Sequence, residues 1–256
     1  MNDESELRRQ LRAEWEGLAE ELIRLHVEGE DELREFLLDG WMLGAVGDVS
    51  GLRVIDLGCG EGRFARMLTE SGAKVTGVDL CRPLIEYAES HRAGDETYLC
   101  ADMEDLDGVP DDAFDLAVSY VSLVDVLDMQ RAISATFRVM RSGGRFVVCN
   151  VHPMRTASVG WIRQGDVKLH YPVDNYFDES ARELRSRGGK PWTNFHRTLE
   201  THVRTFLDAG FVIEAIREPT PTHEQAEQHP YIDDELRVPN FIIFVLRKPE
   251  QHQLNA

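Results

Sequence analysis

Near the start of the chain, apolar side chains recur at Leu7, Leu11, Trp15, Leu18, Leu22 and Leu25, in steps of 4, 4, 3, 4 and 3. That spacing lines one face of an α-helix and predicts an amphipathic helix over residues 4 to 27. The stripe is too short for a coiled-coil seam, and its plainest reading is a face packed on the core. A second helix is expected over residues 31 to 39, ending before Gly40, and Gly51 marks the turn into the first strand.

From residue 52 the period changes. Short apolar runs at 53–57, 74–78, 97–100, 114–118 and 145–149 alternate with helical patterns over about 61–71, from Pro83, and along Met129, Ile133, Phe137 and Met140. Gly143-Gly144 reads as the stop of the last of these helices. Such alternation predicts βαβ units and a parallel sheet. Residues 152 to 196 break the rhythm, with Pro153, Pro172, Gly188-Gly189 and Pro191, yet their aromatic content argues for packing over disorder. Thr198 is placed to cap a helix carrying Leu199, Val203, Phe206 and Leu207, stopped by Gly210. Runs at 211–216 and 241–246 then predict two strands, antiparallel because the segment between them has four prolines and no apolar helical period.

Composition narrows the partners. With 28 basic and 46 acidic residues the formal charge is −18, a field that repels phosphate backbones and anionic lipid surfaces. Nucleic acid and membrane are therefore not expected as partners. The basic cluster Arg182, Arg185, Arg187 and Lys190 is too small to reverse that field. Four scattered cysteines without a C-x-x-C spacing, and an acidic start without an apolar leader, predict free thiols in a cytoplasmic protein. No His, Cys or carboxylate grouping has metal-site spacing, so no metal is expected.

The chemistry concentrates where the first strand ends, in Asp56-Leu-Gly-Cys-Gly-Glu-Gly62. Gly58 and Gly60 allow a sharp turn and let a ligand approach a backbone that has no Cβ in the way. A turn at that end of the first strand is where open α/β sheets bind cofactors. The spacing is G-x-G-x-G, not the G-x-G-x-x-G of a dinucleotide site, and Asp56 stands before it. A carboxylate there disfavours phosphate and favours an ammonium, which suits an amino-acid-bearing nucleoside such as S-adenosylmethionine. The second strand ends in Asp79, 21 residues beyond Gly58, where a carboxylate can take both ribose hydroxyls. After the third strand, Asp102 can accept from an adenine amine while Met103 packs on the ring.

With the loop, Asp79, Ala101-Asp102, Asp112-Ala-Phe-Asp115 and Arg141-Ser-Gly-Gly144 in view, residues 52 to 151 resemble a class I S-adenosylmethionine-dependent methyltransferase. Phe195 to His202, Leu207 to Phe211 and Glu218-Pro-Thr-Pro221 are similar to a subgroup that methylates small molecules. The resemblance implies a Rossmann-like α/β fold of seven mostly parallel strands with an antiparallel last strand. It also implies that Gly58 and Gly60 line the methionine end, Asp79 the ribose and Asp102 the adenine. Cys59, Leu80 and Ser119 complete the expected cofactor contacts. Ser119-Tyr-Val-Ser122 stands where an Asn-Pro-Pro-Tyr would mark methylation of an adenine or glutamine amino group.

The expected organisation is one domain, with a helical cover over 1–50, a cofactor core over 51–151, a cap over 152–196, and a helix with a strand pair over 197–256. His152, directly after the fifth strand, and His196, at the end of the cap, are candidate general bases, with a backbone-bonded loop histidine as the plainer alternative for each. Tyr120, Trp161 and Tyr176 are candidate substrate walls, and Trp15 and Trp192 candidate lid residues. The expected reaction is methyl transfer from S-adenosylmethionine to oxygen, nitrogen or sulfur of a small molecule. The alternatives are a protein or RNA methyltransferase working with a partner subunit, and a cofactor-binding regulator without turnover.

Overall fold

A computed structural model describes residues 2–29 and 31–250, so the last six residues of the expected C-terminal segment lie outside the described part. The chain opens with α1 (Asn2–Val27), a π-helical turn (Arg34–Leu38) and α2 (Asp39–Val46). The helix expected to stop before Gly40 instead runs through it and ends at Gly47, whose φ of +66° suits glycine.

Strand and helix then alternate as β1 (Arg53–Leu57), α3 (Arg63–Glu70), β2 (Lys74–Asp79), α4 (Arg82–Ser90), β3 (Thr97–Cys100), β4 (Phe114–Tyr120), α5 (Met129–Val139) and β5 (Met140–Val151). The Asp128 side chain caps α5 by accepting from the Arg131 N–H. α5 ends at Val139, before the glycine pair expected to stop it. Gly143-Gly144 lies within β5, and the pairing of β4 with β5 slips between Phe114 and Leu116.

The insertion is more regular than its sequence suggests. After α6 (Pro153–Thr156) come two antiparallel hairpins, β6 (Ile162–Gln164) with β7 (Val167–His170) and β8 (Ala181–Arg185) with β9 (Pro191–Phe195). Thr198 then caps α7 (Leu199–Asp208) by accepting from the Thr201 N–H, and β10 (Val212–Arg217) comes next. The proline-rich segment holds a short α8 (His223–Gln228) and a 3-10 turn (Pro230–Leu236) before β11 (Phe241–Arg247).

Seven strands form one sheet in the order β10-β11-β5-β4-β1-β2-β3, with β11 antiparallel to both neighbours and the rest parallel. β1 lies inside the sheet between β4 and β2, and alternation along it divides the core. Val54 joins Leu38, Met42, Phe64 and Leu68 on one face, while Ile55 and Leu57 join Ile133, Phe206 and Phe244 on the other. Asp56 falls between Ile55 and Leu57, on the Val54 side, at the mouth of the sheet.

Candidate functional site

The turn after β1 requires glycine for two different reasons. Gly58 has φ +69°, and a Cβ there would lie 2.4 Å from the Ser122 Cβ and 2.9 Å from the Met103 Cε. Gly60, at φ +56°, would meet nothing within 4 Å, so its open side is the approach left for a ligand. The loop is tied to β2, since the N–H groups of Gly58 and Cys59 both donate to the Val78 carbonyl at 2.8 and 3.0 Å. The Gly60 N–H donates to Asp79 Oδ2 at 2.9 Å, and the Cys81 N–H to Asp79 Oδ1 at 2.8 Å.

A cavity of about 490 Å³ opens over the ends of β1, β2, β3 and β4. Asp56 lines it, buried, with its Oδ2 lacking any hydrogen-bond partner. Burial above all, with the nearby charges of Asp79 and Glu61, pushes the Asp56 carboxyl up to about 8. An orphaned carboxylate oxygen of this kind is where a bound ammonium would restore balance. Burial also raises Asp79, against the lowering effect of its backbone hydrogen bonds. Leu80, Asp102 and Met103 lie on the same wall beyond Asp79, and Cys59 is in the loop, its buried thiol pushed well up. An open-sided glycine cradle, an unpaired buried carboxylate and two further acids along the strand ends fit S-adenosylmethionine.

The roof of the cavity is α1. Leu11, Trp15 and Leu22 face inward, and Arg8, Arg12 and His26 fall on the same helical face. At one end Arg8 Nη1 lies 2.5 Å from Glu104 Oε2 and 3.6 Å from Asp102 Oδ2. At the other, His26 Nδ1 lies 2.9 Å from Glu61 Oε2 and Nε2 lies 3.0 Å from Asp31 Oδ2. Burial works against the charge of His26, and the two carboxylates outweigh it, raising its pKa above that of free imidazole.

The fourth wall is the end of β4. Tyr120 donates to Asp39 Oδ1 at 3.0 Å, stacks edge-on to Phe64 at 5.0 Å and lies under the Arg34 guanidinium at 5.5 Å. Arg63 grips the same Asp39 with both terminal nitrogens. Val121 comes next with φ +58°, a strained conformation for a β-branched residue, and its N–H donates to the Cys149 carbonyl at 2.8 Å. Ser119 is buried behind this wall, 2.7 Å from Ser122 Oγ, which itself donates to the Leu57 carbonyl. Ser122, not Ser119, reaches the cavity.

Four more expected residues lie elsewhere. His152 caps α6 through Nδ1, and its Nε2 is 3.2 Å from Glu218; burial lowers its pKa against that carboxylate's pull. His196 is buried between Thr156 Oγ1 at 2.6 Å and the Tyr176 carbonyl at 2.8 Å. Trp161 donates to Asp234 beneath the Arg237 guanidinium, and the Tyr176 hydroxyl accepts from the Leu199 N–H. None of the four lines the cavity. The expected cap grips the outside of the roof: Ser186 and the Gly188 N–H at the tip of the β8–β9 hairpin donate to Glu21, and Lys190 donates to the Gly17 carbonyl. Trp192, in that hairpin, donates to Asn194.

Sequence reasoning missed Arg8, His26, Arg34, Glu61 and Asp125 as cavity residues. For Arg8 and His26 the signal was present, since both share the helical face of the leucine stripe. Among the described residues no cluster of potential metal ligands occurs, and no helix is long and apolar enough to cross a membrane.

Residues 55–148 match the family model described as a methyltransferase domain. Malonyl-[acyl-carrier protein] O-methyltransferase from Pseudescherichia vulneris is 36% identical over 194 residues, which span 73% of this chain and 72% of that protein. An S-adenosylmethionine-dependent methyltransferase from Mesorhizobium loti has a solved structure similar to this one at TM-score 0.74 and 32% identity, over 81% of this chain and 96% of that one. A second such structure, from Listeria monocytogenes, has TM-score 0.74 and 30% identity over 82% and 96% of the two chains. Some other curated relatives are matched over only 49% to 65% of their length.

Proposed function

Because the chain belongs to the class I S-adenosylmethionine-dependent methyltransferases, we propose that it delivers the methyl group to a small molecule held in the cavity beneath α1. S-adenosylmethionine supplies an electrophilic methyl on a sulfonium that already leaves readily, so the chain's contribution is to bind, orient and exclude water. In this reading Asp56 and the glycine loop hold the methionine end, Asp79 the ribose, and Asp102 with Met103 the adenine. Tyr120 and Phe64 wall the acceptor side.

The observation that carries the reading is enclosure. α1 spans the cavity and is tied at both ends, to Asp102 and Glu104 through Arg8 and to Glu61 through His26. A polymer would need an open cleft, and a formal charge of −18 works against an RNA strand. A relative named demethylmenaquinone methyltransferase adds support for a small acceptor.

Calorimetry with S-adenosylhomocysteine tests the cofactor site: Asp79→Ala weakens binding by about 1 to 3 kcal/mol, the cost of losing hydrogen bonds to a charged group. Methyl-labelled S-adenosylmethionine incubated with a cell extract tests the acceptor. Label recovered in the low-mass fraction is the expected result, and label in protein or RNA overturns the proposal.

A further inference from the structure

Methyl transfer to an X–H acceptor releases one proton. The X–CH3 bond forms as the S–CH3 bond breaks, the electron pair of that bond stays on sulfur, and the X–H proton passes to a base. Resting on the methyltransferase reading, we propose that this base is Asp125, its carboxylate facing the acceptor atom of a hydroxyl, thiol or amine substrate.

Sheet order sets the direction. Asp79 ends β2 and Asp102 lies just past β3, so the nucleoside extends from the glycine loop toward the β3 edge, whereas β4 lies on the other side of β1. The chain leaving β4 therefore borders the methionine end and the acceptor. Val121, held at φ +58°, bends it into a 3-10 turn over Leu123–Asp125. Arg197, arriving from β9, pins that turn from behind by donating to the carbonyls of Leu123 at 3.3 Å, Val126 at 2.5 Å and Leu127 at 3.1 Å. Asp125 lines the cavity from this rigid turn and is half-buried.

The other groups on the cavity that could accept a proton are committed, except Asp56, whose Oδ2 has no partner. Both ring nitrogens of His26 face carboxylates, which favour the protonated ring, and a protonated ring has no lone pair for a further proton. Glu61 faces His26 and Arg66, and Asp79 accepts two backbone N–H groups. Asp102 and Glu104 face Arg8, and the Tyr120 hydroxyl donates to Asp39. Asp56 stands directly before the glycine loop, where it serves the cofactor's ammonium. Among the described residues, the Asp125 carboxylate makes no hydrogen bond and no ion pair within 4.0 Å. Burial chiefly, and the charge of Asp79, raise it well above the usual carboxylate range, while Arg34 and Arg197 oppose that rise. A carboxylate whose pKa is raised is a stronger base, which suits it to take the acceptor's proton.

The test needs no identified acceptor. Sinefungin carries an ammonium where S-adenosylmethionine carries the transferred methyl, and S-adenosylhomocysteine carries neither. Calorimetry on the full chain compares the two ligands. Wild type is expected to prefer sinefungin by about tenfold or more, as a charge-assisted contact implies, and Asp125→Asn to lose that preference while keeping its affinity for S-adenosylhomocysteine. An unchanged preference in Asp125→Asn overturns the assignment, whereas failure of both ligands to bind wild type overturns the cofactor reading instead.

A second readout uses wild type alone, in buffers of different ionisation enthalpy between pH 5 and 8. A carboxyl whose pKa is raised gives up its proton on meeting the ammonium, so sinefungin is expected to release more protons than S-adenosylhomocysteine, most at the acid end of that range. Equal release across that range overturns the proposal even if the variant fails to fold. The charges of Asp79, Arg34 and Arg197 act on Asp125 from the chain itself, so the comparison between ligands cancels their contribution.

Discussion

The N-terminal helix and the segment 152–196 are both rich in large apolar side chains, and they stand in opposite relation to the cavity. α1 lays Leu11, Trp15 and Leu22 over it, while the insertion turns Trp161, Tyr176 and Trp192 toward partners of their own and clasps α1 from outside. What separates them is charge in register with the apolar face. Arg8 and His26 stand at the two ends of the stripe of α1, and each finds an acid on the cavity rim. A stripe that carries charges on its own face is built against a polar site. An aromatic cluster whose polar atoms are all served locally is built for packing.

That contrast can be broken most forcefully from the floor of the cavity. Gly58→Ala places a Cβ 2.4 Å from the Ser122 Cβ in a left-handed backbone. It is expected to abolish S-adenosylhomocysteine binding and to cost about 3 kcal/mol in urea unfolding. A variant of wild-type stability that still binds would mean that the turn is not a rigid floor.

The roof comes next. His26→Gln removes the charge between Glu61 and Asp31, and at pH 6 is expected to cost about 2 to 3 kcal/mol. The pKa of His26 is raised by folding, so its stabilisation is complete below the unfolded value near 6.5 and disappears as pH rises through the folded value. Thermal unfolding from pH 6 to 9 should therefore show wild type and His26→Gln converging as pH increases. A gap that widens with pH would reverse the assignment of charge on His26.

The smallest effect on the ligand belongs to the insertion. His152→Ala and His196→Ala remove buried hydrogen bonds and are expected to cost about 1 to 2 kcal/mol of stability. S-adenosylhomocysteine affinity should stay at the wild-type value. A clear loss of affinity in either would bring the insertion into the site after all.

The sheet was legible because its inner strands β1, β4, β5 and β11 are buried on both faces and read as apolar runs, and Asp56, Gly58, Gly60, Asp79 and Asp102 because they sit where strands end. The hairpins of the insertion were not legible. β6, β7 and β8 are largely exposed, so no alternation marks them, and their pairing is set by backbone hydrogen bonds. His152 and His196 looked chemical from their place in the chain, yet distance along a sequence says nothing about which way a loop turns. Asp125 was hidden for the converse reason. Its place on the cavity depends on the bend at Val121 and the clasp of Arg197, a residue more than seventy positions away.

β11 is the last strand in the described chain and lies inside the sheet, with β5 on one side and β10 on the other, and Phe241 to Leu246 wholly buried. On the ribosome, β5 therefore emerges long before the strand that joins it to β10, and it waits with a bare row of backbone donors and acceptors. The cavity at the other end of the sheet needs only strands already made by residue 151. The nucleoside floor is thus laid early and the sheet is closed late, so shielding of the half-built edge by a chaperone would matter most in the interval before residue 241 arrives.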